Sequence, residues 1–266
     1  MPNPILPLWE YIPDGEPRVF GDRVYLYGSH DRVGADMFCD YRLKVWSASV
    51  NDLNHWKCHG DSFHTRPDQL HQADTDWTDH ELYAPDVVKK GAKYYLFAYI
   101  LWAKGCVGVS DHPEGPFKLV SRYQYDESTG GDEGIFNDPG VLVDDDGRVY
   151  IYYGYEKSHM GEINPENMTE ILPGSYRENL IPAGDGETDF FEASSIRKVN
   201  GLYYLIYSPR KGNRLAYAVS ESPRGPFVRK GTIIDNGIDY PAGNNHGSIC
   251  PVSYTHLRAH ETLANL

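Results

Sequence analysis

The sequence predicts an all-β protein, a five-bladed β-propeller whose fifth blade is incomplete. Three observations lead there. A turn with Gly followed by a short aromatic and β-branched strand recurs as GDRVYLYGS, GAKYYLFAY, DGRVYIYYG and NGLYYLIYS, and its tyrosines Tyr25, Tyr95, Tyr150 and Tyr204 stand 70, 55 and 54 residues apart. SDHPEGPFK from Ser110 and SESPRGPFV from Ser220 share the pattern S-x-x-P-x-G-P-F, each after a strand-like run. No segment carries sustained helical periodicity, because Pro or Gly interrupts every candidate.

A further strand-like segment precedes each tyrosine: EPRVF, PDVVKK, PGVLVDD and SSIRKV. The unit is therefore a strand, a tight Gly turn, a second strand, then more strands and a long connection, which is how a propeller blade reads in sequence. A sandwich also alternates strands but gives no reason for one motif to return at a near-constant interval. The propeller is assigned to residues 1–251. The run VSYTHLRAHET, Val252 to Thr262, resembles the reading-frame translation of a sequencing-library adapter. Residues 252–266 are accordingly set aside as a non-native tail, and His256, His260 and Glu261 are excluded from the chemistry. A blade cut short leaves strand edges unpaired and the ring open, so poor solubility is expected.

Composition narrows the function. The chain has 21 Tyr, 9 Phe and 5 Trp, residues that suit strands and that stack on sugar rings. Its formal charge is −13, from 25 basic and 38 acidic residues, which excludes nucleic acid and anionic membranes as partners. No run approaches the roughly 20 apolar residues of a membrane span. The start, MPNPILPLWEYIPDGEP, lacks a basic segment followed by an apolar stretch, so a cytoplasmic location is expected. Cys39, Cys58, Cys106 and Cys250 lack the close paired spacing of zinc sites and read as thiols.

The repeat also places charge. Asp14, Asp86, Asp138 and Glu192 precede their tyrosines by 11, 9, 12 and 12 residues, close to one equivalent position, and His246 follows Glu192 by 54. The first strand of each blade lines the central channel, so these four acids and one His are expected to converge. Clustered carboxyls repel one another and lose hydration, so their recurrence needs a reason; catalysis is one and a metal site another. Cleaving a glycosidic bond needs a proton for the leaving oxygen and an activated water or carboxylate at the anomeric carbon, and a third carboxylate nearby raises the pKa of the acid.

At IPDGEPRVFGDRVYLYGSHD, LYAPDV, FNDPGVLVDDDGRVYIYYG, FFEASSIRKVNGLYYLIYS and GNNHGSI the sequence resembles glycoside hydrolase family 43, over nearly everything from Pro4 to Ile249. The resemblance implies a five-bladed propeller with inverting chemistry, in which Asp14 is the general base, Asp138 the pKa-modulating and orienting acid, and Glu192 the general acid. It places the family's axial His on His246, beside a structural calcium ion and its waters in the central channel, and implies no organic cofactor. The substrate it implies is a xylo- or arabino-oligosaccharide, cut as by a β-xylosidase or α-L-arabinofuranosidase. Asp86, Trp9, Tyr83, Phe136, Phe191 and His30 are the expected substrate contacts.

Plainer readings stand beside these. Asp14 in P-D-G and Asp138 in N-D-P each read alone as turn residues. Asp86 after Ala-Pro reads as lining the site or bonding backbone. His30 and Asp31 in YGSHD form a pair, at the site or structural, and Phe190 and Tyr207 either stack on sugar or fill the core. Asp144, Asp145 and Asp146 before Gly147 lack the ligand spacing of an EF-hand and read as a solvated hairpin turn. Asn244 and Asn245 offer oxygen atoms beside His246. Three alternative functions remain at this point: an endo-arabinanase, a non-catalytic sugar-binding propeller, and a phosphorylase using Arg197, Arg210, Lys211 and Arg214.

Overall fold

The computed structural model describes residues 5–102, 105–122, 137–184, 186–237, 245–253 and 256–261, all in strands, turns and loops. Four antiparallel four-stranded sheets follow one another along the chain. The first contains β1 (Glu16–Phe20), β2 (Arg23–Tyr27), β3 (Arg42–Ser49) and β4 (Asp52–His64). The second contains β5 (Leu82–Lys90), β6 (Lys93–Ile100), β7 (Cys106–Ser110) and β8 (Lys118–Arg122). The third runs β9 (Gly140–Val143), β10 (Val149–Tyr153), β11 (His159–Ile163) and β12 (Arg177–Glu178), and the fourth β13 (Phe190–Val199), β14 (Leu202–Pro209), β15 (Arg214–Ser220) and β16 (Val228–Asp235). A two-stranded sheet, β17 (Gly247–Ser253) with β18 (His256–Glu261), completes the order.

Turn chemistry starts each blade. Phe20 pairs with Arg23 across Gly21, Lys90 with Lys93 across Gly91, and Val199 with Leu202 across Asn200–Gly201. Asn200 and Gly201 take φ of 51° and 80°. Two successive positive angles match the right-handed twist of the flanking strands, and Asn-Gly reaches them with little strain.

The strands read as continuous apolar runs because both faces are covered. In β10, Ile151 and Tyr153 pack with Val88 and Phe97 of the second blade. The alternate residues Tyr150 and Tyr152 pack with Ile196, Leu205 and Phe227 of the fourth. Successive side chains point to opposite faces, so one strand serves two cores. β17 follows the same rule: Ile249 packs on Ile206 and Leu215 of the fourth blade, and Cys250 on Val24 and Ala48 of the first.

The shared S-x-x-P-x-G-P-F motif is a latch between blades. Tyr27 Oη donates to Pro113 O at 2.6 Å, joining blades one and two, and Tyr152 Oη donates to Pro223 O in the same way between blades three and four. Each motif ends in a buried Phe, Phe117 or Phe227, wedged between the sheets it joins.

Strands β1, β5, β9, β13 and β17 each touch the next, and β17 touches β1. The architecture is thus an all-β propeller. The inner circle, expected to stay open, is closed, because β17 sits against both β13 and β1. The segment set aside as a tail contributes β18, with Ile249 opposite Ala259.

Candidate active site

Strand register brings the acids to common levels, and it corrects the alignment made by spacing alone. Tyr25, Tyr95, Tyr150 and Tyr204 pair with Arg18, Val88, Leu142 and Arg197. Four residues before each partner stand Asp14, Ala84, Asp138 and Ala193, and all four have positive φ: 58°, 37°, 52° and 64°. Such angles are uncommon outside glycine, so this shared kink marks one structural position repeated four times. Asp14 and Asp138 are equivalent. Glu192 lies one residue earlier than that position, and Asp86 two residues later.

At the kink level the acids meet. His246 Nδ1 lies 3.4 Å from Asp14 Oδ1 and 3.8 Å from Asp138 Oδ2. Asp138 Oδ2 accepts the Ala193 amide at 2.9 Å. Asp14 Oδ2 accepts the Ser29 hydroxyl at 2.5 Å, and Ser29 Oγ in turn accepts the Ala84 amide at 2.8 Å. Each Asp is therefore tied to the kinked alanine of the following blade, directly in one case and through Ser29 in the other. Glu192 opens a bulged stretch of β13, with register shifts on both sides of it. A bulge re-aims a side chain away from the regular pleat.

Environment separates the carboxyls. Burial, then the charges of Asp138 and Asp14, push the Glu192 pKa up to about 9, so it holds a proton at neutral pH. The Asp138 pKa is raised by burial and by Asp14, against the opposing pull of His246 and the Ala193 amide. The Asp14 side chain is the more open of the two, 25% exposed against 14% for Asp138. One buried, protonated acid thus shares the hub with a more exposed aspartate held by a hydroxyl, an arrangement that acid–base hydrolysis can use.

Two levels lie along the axis. Two residues beyond the kink come Glu16, Asp86, Gly140 and Ser195, and here the structure corrects the expected role of Asp86. Its side chain is fully buried: Arg18 Nε donates to Asp86 Oδ1 at 2.8 Å, and the Val141 amide donates to Oδ2 at 2.7 Å. With both oxygens occupied, Asp86 is a structural counter-ion and presents no atom to a sugar. Arg197 Nη2 lies 2.6 Å from Glu16 Oε1, Ser195 Oγ donates to the same oxygen at 3.0 Å, and Ser195 meets Ser248 at 2.6 Å. Two guanidiniums and two carboxylates cancel in charge and plug the hub beneath the acids. At Gly140 an added Cβ would stand 2.6 Å from Ser194 O, so only glycine lets blades three and four approach.

This arrangement also tests the calcium implied for the hub. Calcium takes six to eight oxygen ligands. The carboxylates of Glu16 and Asp86 are bound to arginines, one oxygen each of Asp14 and Asp138 is occupied by Ser29 and Ala193, and Asn245 Oδ1 accepts from Asn236. These residues leave few protein oxygens open, so a calcium ion at the hub would be held largely through waters, next to His246, whose Nδ1 faces Asp14 and Asp138. Asn244 and Phe136 lie outside the described residues.

The other expected contacts divide. The Tyr83 hydroxyl is buried with no hydrogen-bond partner among the described residues, and burial raises its pKa, with smaller contributions from Cys39, Glu81, Tyr99 and Asp14. Phe38 packs edge-on against the Tyr83 ring at 5.6 Å. Phe191, next to Glu192, lies 5.1 Å from the Tyr155 ring and carries Arg210 over its face. Trp9 is 66% exposed and rests on Trp46. His30 is corrected: its partners are Asp40 (Nδ1, 3.1 Å) and Glu10 (Nε2, 3.0 Å), while Asp31 accepts the Cys39 amide. Burial alone would depress the His30 pKa, but those two hydrogen bonds outweigh it and raise it. His30 is thus a buried charged brace next to Ser29, with both nitrogens committed. Phe190 and Tyr207 are core residues. Spacing missed Ser29, Glu10 and Asp40, whose importance is purely spatial.

The basic residues weighed for phosphate do not converge. Arg197 binds Glu16 in the hub, Arg210 lies 2.6 Å from Glu156, and Arg214 lies 3.1 Å from Asp235. Asp145 and Asp146 are exposed in their hairpin turn, as expected, whereas Asp144 is buried and accepts from Lys198 and Tyr203.

The profile of Glycosyl hydrolases family 43 matches residues 1–172. A xylosidase/arabinosidase of Thermoclostridium stercorarium is 36% identical over 282 residues, covering 94% of this chain and 58% of the relative, so the chain spans little more than half of that protein. A β-xylosidase of Xylanibacter ruminicola is 30% identical, covering 85% of this chain and 80% of the relative. Among solved structures, a family 43 β-xylosidase/α-arabinofuranosidase from a compost metagenome, in complex with xylotriose in a calcium-free form, superposes with a TM-score of 0.75 at 26% identity, covering 95% of this chain and 85% of its own. Repeat, register and acid pair agree with these likenesses: the chain belongs to glycoside hydrolase family 43.

Proposed function

We propose that this glycosidase releases terminal xylose or arabinofuranose from short xylo- or arabino-oligosaccharides with inversion at the anomeric carbon. Asp14 takes a proton from a water, whose oxygen bonds to the anomeric carbon as the bond to the leaving oxygen breaks. Glu192 delivers its proton to that leaving oxygen, and Asp138, coupled electrostatically to Glu192, keeps it protonated until then. Inversion requires the two working carboxyls to stand roughly 6.5–9.5 Å apart, with room for the water. Tyr83 offers its hydroxyl to a sugar hydroxyl, and Phe191 and Trp9 offer ring faces. β17 is read as the first strand of a fifth blade that the native part of the sequence leaves incomplete at about residue 251, with residues 252–266 a non-native tail.

The observation that carries this reading is Glu192, its pKa raised to about 9 by burial and by the charges of Asp138 and Asp14, in one hub with the more accessible, hydroxyl-bound Asp14. Similarity to xylosidase/arabinosidases supports the sugar class. The test is a screen on aryl-xyloside and aryl-arabinofuranoside with the product anomer followed by NMR. Inverted pentose is expected, whereas retained configuration or an active Asp14→Asn variant would sink the assignment.

A further inference from the structure

We propose that Asp61, His64, Asp68 and His71 form a binding site for one divalent transition-metal ion, of which zinc fits best, pinning the end of β4 to the segment 65–81 that follows it. Each residue offers one ligand atom, and these atoms all lie within 4.8 Å of one another. His64 is the central observation. It is 3% exposed, and neither ring nitrogen has a hydrogen-bond partner. A neutral imidazole carries one donor and one acceptor, and burying both unpaired is costly unless something else binds there.

The surroundings are already arranged. His64 Nε2 lies 3.8 Å from Asp61 Oδ2, and the His64 and His71 rings stack at 4.6 Å. Asp68 Oδ1 accepts the amides of Leu70 and His71 at 2.7 and 2.8 Å, which fixes the carboxylate, and His71 Nδ1 lies 3.2 Å from the same oxygen. Four ligands at about 2.0–2.1 Å from a tetrahedral zinc stand about 3.3 Å apart. The 3.8 Å and 3.2 Å separations already approach that spacing. The partial exposure of His71 and Asp68, 43% and 26%, leaves them room to adjust. Arg42 Nη1 lies 3.4 Å from the same Asp61 Oδ2 and helps to hold that oxygen in place.

Two imidazoles with two carboxylates suit zinc, whereas calcium and magnesium favour all-oxygen shells. The ligands come as two copies of D-x-x-H, Asp61 to His64 and Asp68 to His71. The hydrogen bond from the His64 amide to Asp74 Oδ2 at 2.8 Å already folds the segment back on the strand. That segment leads into β5, which delivers Tyr83 and Ala84 to the active site, so the ion would stiffen the approach without touching the acids.

The test uses the full chain, stripped with a chelator and titrated with Zn²⁺ alone by calorimetry and thermal melting, with Co²⁺ as an optical probe. One ion per chain, a higher melting temperature and intense tetrahedral Co²⁺ bands are expected. His71→Ala and Asp68→Asn sit at partly exposed positions, so the metal-free fold should persist while affinity falls at least about tenfold, each having lost one of four ligands. His55→Ala, at a histidine outside the cluster, should leave binding unchanged. Absence of stoichiometric binding, an octahedral Co²⁺ spectrum, or affinity unaltered by both ligand variants would overturn the proposal.

Discussion

The Ala193 amide donates to Asp138 Oδ2 at 2.9 Å, fastening the third blade's acid to the residue that follows Glu192. The first blade repeats the arrangement with a hydroxyl inserted, Asp14 to Ser29 to the Ala84 amide. The direct version keeps Asp138 close to Glu192 and raises the pKa of the acid. The version with Ser29 gives Asp14 a hydroxyl partner and leaves it more open. One backbone kink, used twice with Ser29 inserted in one of the two cases, sets Asp138 beside the acid Glu192 and leaves Asp14 the more open carboxyl.

Glu192→Gln should lower kcat on natural oligosaccharides by about 10²–10⁴-fold, the usual contribution of a general acid. Dinitrophenyl glycosides, whose leaving group needs no proton, should lose far less. Measuring both substrates on one variant checks the role, and equal losses would remove Glu192 from it.

The alkaline limb of the rate profile should follow Glu192, with activity falling as pH rises through about 9. Asp138→Asn removes one of the charges that raise this pKa, so the limb should shift to lower pH. A limb that stays in place would show that the falling activity belongs to another group.

The same group makes stability depend on pH. Its folded pKa lies above the unfolded value of 4.5, so its contribution is fully present below 4.5 and is lost progressively as pH rises to about 9. Glu192→Gln should therefore melt higher than the parent at pH 7, by about 2–4 °C for each kcal/mol recovered. The difference should vanish near pH 4, and parallel melting curves across that range would count against a buried neutral acid.

Ser29→Ala should reduce kcat about tenfold with a smaller change in KM, because Asp14 loses the hydroxyl that orients it. The Ala84 amide would be left without its partner, at a cost of about 1–3 kcal/mol. Steady-state kinetics with chemical denaturation separate the two effects.

Arg18→Met should destabilise the fold by about 3–5 kcal/mol, since it strands the buried Asp86 charge. Pairing it with Asp86→Asn should recover part of the loss, and a denaturant double-mutant cycle measures the coupling.

Much of this was legible in the chain. Repeated tyrosines with Gly turns give the blades, because a two-residue turn and a doubly covered strand each leave a local signature. The acids were found, but their levels were not. Asp86 and Glu192 differ by only three residues in their distance from the tyrosine, yet one lies in the plug and the other in the site. Bulges between Tyr83 and Asp86 and between Glu192 and Ser195 alter the pairing there, and residue spacing carries no record of a bulge. Ser29 went unread for a different reason: a serine acquires its role only when another blade brings Ala84 against it. His30 pointed to the right neighbourhood and to the wrong partner, because Asp40 and Glu10 reach it through folding and Asp31 only through adjacency.

Because Ile151 and Tyr150 on one ribbon fill separate hydrophobic compartments, no blade owns its interior. A cavity carved on either face of β10 is shared with a neighbouring sheet, and swapping in a foreign blade would require both adjoining surfaces to be recut. Cohesion here belongs to the seams, which makes the ring the smallest unit expected to melt.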